Sequence, residues 1–361
     1  MGAGARGNAF DFMRIAAALA VLVSHSYALL GLPEPHVSYG DSLGTVAVSV
    51  FFVISGYLVA ASWQRDPDLG RFMFRRALRI FPGLLVATLF VALVVGLMAT
   101  TLDARSYIES AQVWRYIVST ARLQMSDRLP GVFEDNPFPA AVNGSLWSLQ
   151  YEVAMYLLLA VVGLAMRRFG KAALGIACGL VVVGAMGLHS YAAVHGLTPS
   201  AIPFLWRLDP AQLGYSIDAI RFLNLAVFFF GGAVLYLFAD HIPLRWEIAA
   251  GLLLLTVALP SLAWRHAAAW VAVPYACILF AQRAPGWFRR WGRFDYSYGI
   301  YIYAFPLQQL IAHWCWPAVS HAWILLMSIL ATTAFAAFSW FVVEKPALRF
   351  KPAAASVGAV R

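Results

Sequence analysis

Two polar side chains interrupt the first apolar stretch of the chain, "RIAAALAVLVSHSYALL" at residues 14–30. Arg14 opens this stretch and His25 lies well inside it. Ionisable side chains in hydrocarbon are costly, and they usually serve a function. Eleven residues separate the two. That spacing is close to three full helical turns, so we expect both on one helix face, about 16 Å apart along the axis. An imidazole in this position could act as a general base.

A carboxylate in a later apolar stretch could assist that histidine. Glu152 lies within "NGSLWSLQYEVAMY", in a predicted helix that runs in the opposite direction. The helical rise places Glu152 and His25 at similar depths, each about 10 Å below the same membrane surface. We therefore predict that Glu152 pairs with His25, fixes its tautomer and stabilises its protonated form. The alternative is that His25 is a hydrogen-bonded packing residue and Glu152 a structural partner of a hydroxyl or an arginine.

Three arginines stand before the third apolar stretch, in "FRRALRIFPG". Arg75 and Arg79 are four residues apart, so they share a helix face, and Arg76 lies beside them. Arginine is well suited to phosphate, so this group could bind an anionic ligand from the cytosol. The alternative is that the three residues only anchor the cytoplasmic end of a membrane span.

The composition is that of a membrane protein. The chain is 61% hydrophobic and 12% charged, with a mean hydropathy of +0.72, whereas soluble proteins carry about 25% charged residues. The net charge of +9 would also suit a nucleic-acid binder, but Lys and Arg mark the cytoplasmic loops of membrane proteins, so we predict no nucleic acid. The three cysteines show no metal-ligand spacing, so we predict neither a metal site nor a disulfide framework.

Apolar stretches of membrane-spanning length predict an all-α, polytopic helical bundle with ten transmembrane helices. With the N-terminus inside, 18 of the 26 basic residues fall on the cytoplasmic side, which favours two cytoplasmic termini. No internal repeat or fused soluble domain is visible, so residues 1–361 are predicted to form a single membrane domain. The predicted spans are 12–32, 43–63, 80–100, 146–166, 172–194, 219–239, 247–263, 267–283, 297–317 and 322–343.

Two predicted connections on the outer side are long. Residues 101–145 contain the amphipathic stretch "YIESAQVWRYIVSTARL", and residues 195–218 are rich in turn-forming residues. Connections of this length often bind a ligand or cover a site.

Six motifs, in order, resemble those of the acyltransferase 3 family of membrane O-acyltransferases, and they extend over nearly the whole chain. They are "FDFMRIAAALAVLVSHS", "VFFVISGYL", "RRALRIFP", "SLWSLQYEVAMY", "SYGIYIYAFP" and "VEKP". The first motif holds Asp11, Arg14 and His25 at the spacing of the family. The resemblance implies transfer of an acyl group, usually acetyl from acetyl-CoA, to a hydroxyl of a sugar or glycan.

The resemblance also implies roles for individual residues. His25 is expected to be the essential catalytic residue, with Arg14 as its companion and Glu152 in the reaction zone. Many members have a histidine where this chain has Ala304, which argues against a two-histidine mechanism. The donor is expected to bind at Arg75, Arg76, Arg79, Ser55 and Gly56. The substrate is expected to bind at Trp147, Ser148, Asp11 and Tyr156.

The expected function is therefore O-acetyl transfer in the bacterial inner membrane, from cytosolic acetyl-CoA to an exopolysaccharide or O-antigen unit. Glycan-assembly proteins are conceivable partners, beside the lipid bilayer. Two mechanisms remain open, namely direct transfer with His25 as general base and a relay through acetyl-histidine. A transporter or flippase for a glycan or its precursor is the alternative from another class, because it too places ionisable groups at mid-membrane.

Overall fold

The computed structural model describes residues 9–124, 128–194, 218–291 and 295–352. Within these ranges the fold is all-helical, as predicted, and the only β pairing is two isolated bridges. The main helices are α1 (Phe10–Ala28), α2 (Leu43–Arg65), α3 (Leu69–Phe90), α4 (Ala104–Glu109), α5 (Ala111–Ala121), α6 (Trp147–Phe169), α7 (Ala172–Val194), α8 (Ala219–Leu237), α9 (Trp246–Ala258), α10 (Leu262–Arg283), α11 (Gly286–Trp291), α12 (Ser297–Cys315) and α13 (His321–Ser339).

Two of the helices continue through a π-helical turn. Helix α3 runs on through Val91–Val95 to Ala99, and α13 runs on through Trp340–Glu344 to Phe350. With these extensions, five helices in the described ranges are long and apolar enough to cross a membrane. These are Leu43–Arg65, Leu69–Ala99, Gly144–Phe169, Ala219–Leu237 and His321–Phe350. The chain therefore has the character of a multi-pass membrane protein.

A helix occupies each of the ten stretches that the sequence predicted as spans. That all ten cross the bilayer stays a prediction. The cytoplasmic location of the termini also stays a prediction, because residues 1–8 and 353–361 lie outside the described ranges. The same holds for nearly all of the turn-rich connection 195–218, of which only the last residue is described.

Helix α3 begins eleven residues before the predicted start of the third span. The Asp68 side chain caps it by accepting a hydrogen bond from the Arg71 backbone N–H at 2.8 Å. Hydropathy placed the start at residue 80 because the preceding turns carry arginines. The cap shows that Arg75, Arg76 and Arg79 lie inside a helix, which fixes the direction of their side chains. At the other end of the bundle, α1 stops at Ala28 instead of residue 32, and Gly31 takes a positive φ of 70° in the turn that follows.

Helix α2 lies at the centre of the bundle, against α1, α6, α8 and α10. Its closest partner is α8, and glycines make the approach possible. A Cβ at Gly56 would lie 1.8 Å from the Phe229 carbonyl oxygen, and one at Gly232 would lie 2.1 Å from the Val53 carbonyl oxygen. The sequence predicted Gly56 as a donor-binding residue. The structure places Gly56 in this close helix contact and outside the cavity wall described below, and its role in donor binding stays a prediction.

The segment between α5 and α6 is tied to α12. Asn136 Nδ2 donates to the Gln309 side-chain oxygen at 2.8 Å, and Asn143 Nδ2 donates to the Ile302 carbonyl at 3.0 Å. The segment ends in a 3-10 turn, Gly144–Leu146, which leads directly into α6. These bonds hold Ser145 in place beside α1 and α12.

Candidate functional site

A cavity of about 330 Å³ lies among α1, α2, α3, α6 and α12, and is closed by the end of α13. Two carboxylates, Glu152 and Asp295, line it together with six cationic side chains. Eight of the twelve residues predicted for the site contribute to its wall. The cationic residues are Arg14, Arg65, Arg75, Arg76, Arg79 and Lys351, and the eight predicted residues are Arg14, Ser55, Arg75, Arg76, Arg79, Ser148, Glu152 and Tyr156.

Asp295 neutralises two of these arginines. Its Oδ2 accepts a hydrogen bond from Arg79 Nη2 at 2.5 Å and lies 3.4 Å from Arg14 Nη1. Its Oδ1 accepts a hydrogen bond from Ser297 Oγ at 2.5 Å. Burial pushes the pKa of Asp295 upwards, but the charges of Arg79 and Arg14 outweigh burial and hold the pKa below its ordinary value. The carboxylate is therefore ionised at neutral pH and matches part of the charge on Arg14 and Arg79.

Asp66 plays the same part for Arg75. Its Oδ2 accepts a hydrogen bond from Arg75 Nη1 at 2.7 Å, while Arg71 donates to both of its oxygens at 2.7 and 3.0 Å. Hydrogen bonds from Arg71 and Arg75 hold the pKa of Asp66 well below its usual range. Arg75 therefore lines the cavity with its positive charge already paired with Asp66.

Arg76 differs from its neighbours because no carboxylate in the described ranges lies within 4 Å of it. Its guanidinium carbon lies 5.8 Å from the ring centre of Tyr156 and 6.0 Å from that of Phe72. Its buried Nε has no hydrogen-bond partner. An unmatched, partly buried guanidinium facing a cavity is suited to an anionic ligand.

Glu152 contacts α2 and its own helix. It accepts a hydrogen bond from Ser55 Oγ at 3.2 Å and another from the Tyr156 hydroxyl, four residues on. No hydrogen bond joins it to His25. The predicted pair is therefore not formed. The helical rise gave the two residues similar depths, but depth does not fix the direction in which a side chain leaves its helix.

A row of hydroxyl groups connects the cavity to His25. Ser148 Oγ lies 2.7 Å from the Tyr301 hydroxyl, and both residues line the cavity. The Tyr301 hydroxyl donates to the Ser145 carbonyl at 2.7 Å, so Ser148 must be the donor to Tyr301. Ser145 Oγ then lies 3.5 Å from His25 Nδ1. His25 is not part of the wall itself, and it lies just beyond the end of the cavity that Ser148 and Tyr301 form.

The family model described as an acyltransferase domain matches residues 8–345, which include every residue of this site except Leu348 and Lys351. The chain belongs to the acyltransferase 3 family. Membership makes it a membrane acyltransferase and confirms the resemblance that the six motifs carry.

Two curated relatives of this acyltransferase are similar along most of their length, and a third along less than half. An O-acetyl transferase of Shigella phage Sf6 is 30% identical over 347 residues, which cover 94% of this chain and 96% of the phage protein. Nodulation protein 10 of Rhizobium leguminosarum bv. viciae is 30% identical over 360 residues, covering 95% and 94%. Acyltransferase MdmB of Streptomyces mycarofaciens is 30% identical over 180 residues, covering 47% and 44%. No solved structure matches the chain.

A different carboxylate approaches His25 in this acyltransferase. Glu34 lies in the turn after α1 and accepts a hydrogen bond from Ser24 Oγ at 2.8 Å. Ser24 is fully buried and directly precedes His25, so this hydrogen bond holds Glu34 beside the turn of α1 that carries the imidazole. The sequence analysis missed Glu34 because it lies in a loop. Its position between Pro33 and Pro35 was the available signal, since two prolines stiffen the backbone on either side of it.

Two predicted substrate residues of the acyltransferase lie outside the cavity wall. Asp11 Oδ1 is 3.7 Å from Arg14 Nη1 and is partly exposed. The Trp147 ring lies 5.2 Å from the Arg221 guanidinium carbon and packs edge-on against Tyr151. Their predicted contact with substrate stays a prediction.

Proposed function

We propose that this acyltransferase transfers an acetyl group from acetyl-CoA to a hydroxyl of a cell-surface glycan. The observation that carries the proposal is a cavity that is rich in arginine and whose wall is joined to His25 by hydrogen bonds through Ser148, Tyr301 and Ser145. Coenzyme A is a polyanion with a long, thin arm that bears the thioester. Such a donor needs cations at one end of its site and a general base at the other.

The donor end is supported by the balance of charge. Six cations and two carboxylates line the cavity, and Asp295 pairs with Arg14 and Arg79, whereas no carboxylate in the described ranges pairs with Arg76. Arg76 and Lys351 are thus the groups that we assign to the phosphates. Arg14 lies on the same helix as His25, in the first turns of α1, where it would orient the arm of the donor towards His25.

The chemical step that we propose is direct transfer. His25 Nδ1 faces Ser145, which leaves Nε2 for the hydroxyl of the acceptor. His25 takes the proton of the acceptor hydroxyl while the oxygen of that hydroxyl attacks the thioester carbonyl. The carbon–sulfur bond then breaks, and the leaving thiolate receives the proton, so that ester and free thiol are formed. An acetyl-histidine relay would use the same residues in two steps, and it is the competing mechanism.

We place the protein in the bacterial inner membrane, with its arginine-rich end towards the cytosol. Acetyl-CoA is a cytosolic metabolite, and the predicted skew of basic residues gives the same orientation. The acceptor, an exopolysaccharide or O-antigen unit in this proposal, would then reach His25 from the outer side. The relative named O-acetyl transferase supports acetyl as the transferred group.

Release of free thiol tests the proposed function. Membranes that contain the protein are incubated with labelled acetyl-CoA, with and without surface glycan from the host. We expect thiol release and labelled glycan only when both substrates are present. Movement of glycan across the membrane without thiol release would instead establish a transporter and refute the enzyme.

Glu34→Gln is expected to lower kcat about tenfold, which corresponds to a loss of about 1.4 kcal/mol of transition-state stabilisation. The amide still accepts the hydrogen bond from Ser24, but the negative charge that would stabilise the imidazolium formed in the transition state is gone. The KM for acetyl-CoA should not change, because Glu34 is remote from the arginines. Steady-state kinetics check this, with Glu34→Asp as a variant that restores part of kcat and the exposed Glu109→Gln as a control.

Lys351 gives the donor affinity a pH dependence. Burial, followed by the charges of Arg76 and Arg79, lowers the pKa of Lys351 to about 8. The side chain is therefore cationic at pH 7 and mostly neutral at pH 9, so the KM for acetyl-CoA should rise over that interval. In Lys351→Arg, which keeps its charge, the rise should disappear. An identical rise in both proteins would show that Lys351 does not contact the donor.

A further inference from the structure

Helix α5 has three distinct sectors around its axis, since successive residues turn by about 100°. One sector is buried in the protein and consists of Val113, Tyr116 and Thr120. The flank on one side of it is apolar and exposed, with Trp114 at 51% and Val118 at 49% exposure. The remaining sector is exposed and polar, and it includes Gln112 and Arg115. A helix that only met water would not need the apolar flank.

Exposed apolar side chains also occur along α3, against which α5 packs. Helix α3 is part of a candidate membrane span that ends at Ala99, and it exposes apolar side chains along one side up to that end. The exposed series then passes onto α4 and α5. Its members are Leu85, Leu89, Val94, Met98, Leu102, Ile108, Trp114 and Val118.

Close packing fixes α4 and α5 against the end of α3. The Tyr107 hydroxyl donates to the Ala92 carbonyl at 2.7 Å, in the π-helical turn of α3. A Cβ at Gly96 would lie 1.8 Å from that hydroxyl oxygen, so only glycine leaves room for it. The position of α5 at the end of the span is therefore built into the fold.

The indole of Trp114 is prepared for an apolar environment. Its Nε1–H donates to the Ile108 carbonyl at 2.9 Å, although the ring itself is half exposed. An indole N–H without such a partner would favour water or a headgroup. With the N–H satisfied within the protein, the ring can enter the acyl region of a bilayer at little cost.

We propose that α5 lies in the interfacial layer of the bilayer at the His25 end of the bundle. Trp114 and Val118 then contact lipid, while Gln112 and Arg115 face water and headgroups. The partner is the lipid surface itself, because α5 packs against the end of a candidate membrane span and both helices expose apolar side chains. This inference does not depend on which acyl donor or acceptor the protein uses.

Membrane contact at α5 has a consequence for the site. The buried sector of α5 belongs to the same apolar cluster as Leu129, Val132 and Val142. Those residues lie in the segment that leads to Ser145, the neighbour of His25. The interfacial helix thus supports the wall of the candidate active site.

Fluorescence quenching in vesicles tests the proposal. A genetically encoded fluorescent amino acid is placed at position 118 or, as the matched control, at position 112 of the full-length chain. The vesicles contain phosphatidylcholine and phosphatidylglycerol, with or without bromine on the acyl chains. We expect bromine to quench the probe at 118 and aqueous iodide to quench the probe at 112.

Two other outcomes would overturn the proposal. Quenching of both probes by iodide, and of neither by bromine, would place the helix in water. Protection of the probe at 118 from both quenchers would show that protein covers it, either a second copy or a partner. The thermal unfolding midpoint of each variant must match that of the unsubstituted chain, and position 114 serves as the second lipid-side site if position 118 fails this check.

Discussion

His25→Ala is expected to reduce acetyl transfer to the glycan at least about 100-fold, the lower end of what a general base contributes. The imidazole lies beyond the hydroxyl row of Ser148 and Tyr301, with Nδ1 towards Ser145. In the described ranges the position before Phe305 and Pro306 is Ala304, so that position supplies no imidazole that could replace His25. The KM for acetyl-CoA should change little, since the arginines remain in place.

Acetyl transfer from labelled acetyl-CoA in purified membranes measures this effect, beside the O-acetyl content of the surface glycan. His241→Ala is the matched control, because His241 is exposed and packs only on Phe238 in the described structure. Comparable yields and unfolding midpoints would exclude a folding defect. Full activity of His25→Ala would make the histidine structural and refute the mechanism. Labelled acetyl on His25 in the absence of acceptor would replace direct transfer by the relay.

The helical architecture could be predicted from the sequence because apolar length is a strong local signal. Helix boundaries were predictable only where hydropathy changes at the residue at which the helix begins or ends. At α3 they differ, since Asp68 starts the helix before the apolar stretch begins. The same limitation applies at α1, where Gly31 follows a helix that ends within the predicted span.

The residues of the cavity could be predicted in part. The arginines, Ser148 and Glu152 were identified from motifs and spacing, and the structure brings them together. The carboxylate partners of the arginines were not predicted, because Asp295 is more than 200 residues from Arg79 in sequence and contacts it only in the folded protein. Glu34 was missed for a related reason, since a carboxylate in a loop has no periodicity to reveal its direction.

The motif at Gly56 shows a second kind of limit. A glycine beside a candidate ligand-binding serine can leave room for a ligand or for a neighbouring helix, and the sequence does not distinguish the two. The Phe229 carbonyl oxygen against Gly56 shows that the glycine makes room for the neighbouring helix. Ser55, one residue earlier, faces the cavity and donates to Glu152.

Charge matching also distinguishes arginines that the sequence treats alike. Arg75 is bound to Asp66 and Arg79 to Asp295, whereas Arg76 faces the cavity with aromatic neighbours only. Removing an arginine that is already paired reduces the attraction between the site and the anionic donor only slightly, but it leaves a carboxylate without its partner. Removing Arg76 takes away an unmatched charge, so its loss should act on donor binding itself.

Arg76→Ala is accordingly expected to raise the KM for acetyl-CoA by about 10- to 100-fold, from the loss of a charge-assisted hydrogen bond worth about 1.5–3 kcal/mol. The matched control is Arg71→Ala, because Arg71 lies one helical turn earlier, binds Asp66 and does not line the cavity. The control should leave the KM almost unchanged. Initial rates over a range of acetyl-CoA concentrations separate KM from kcat. A higher KM in Arg76→Ala alone, at every salt and glycan concentration, would identify Arg76 as the phosphate-binding arginine. Equal effects of both substitutions would mean that general positive charge, and not the unmatched guanidinium, attracts the donor.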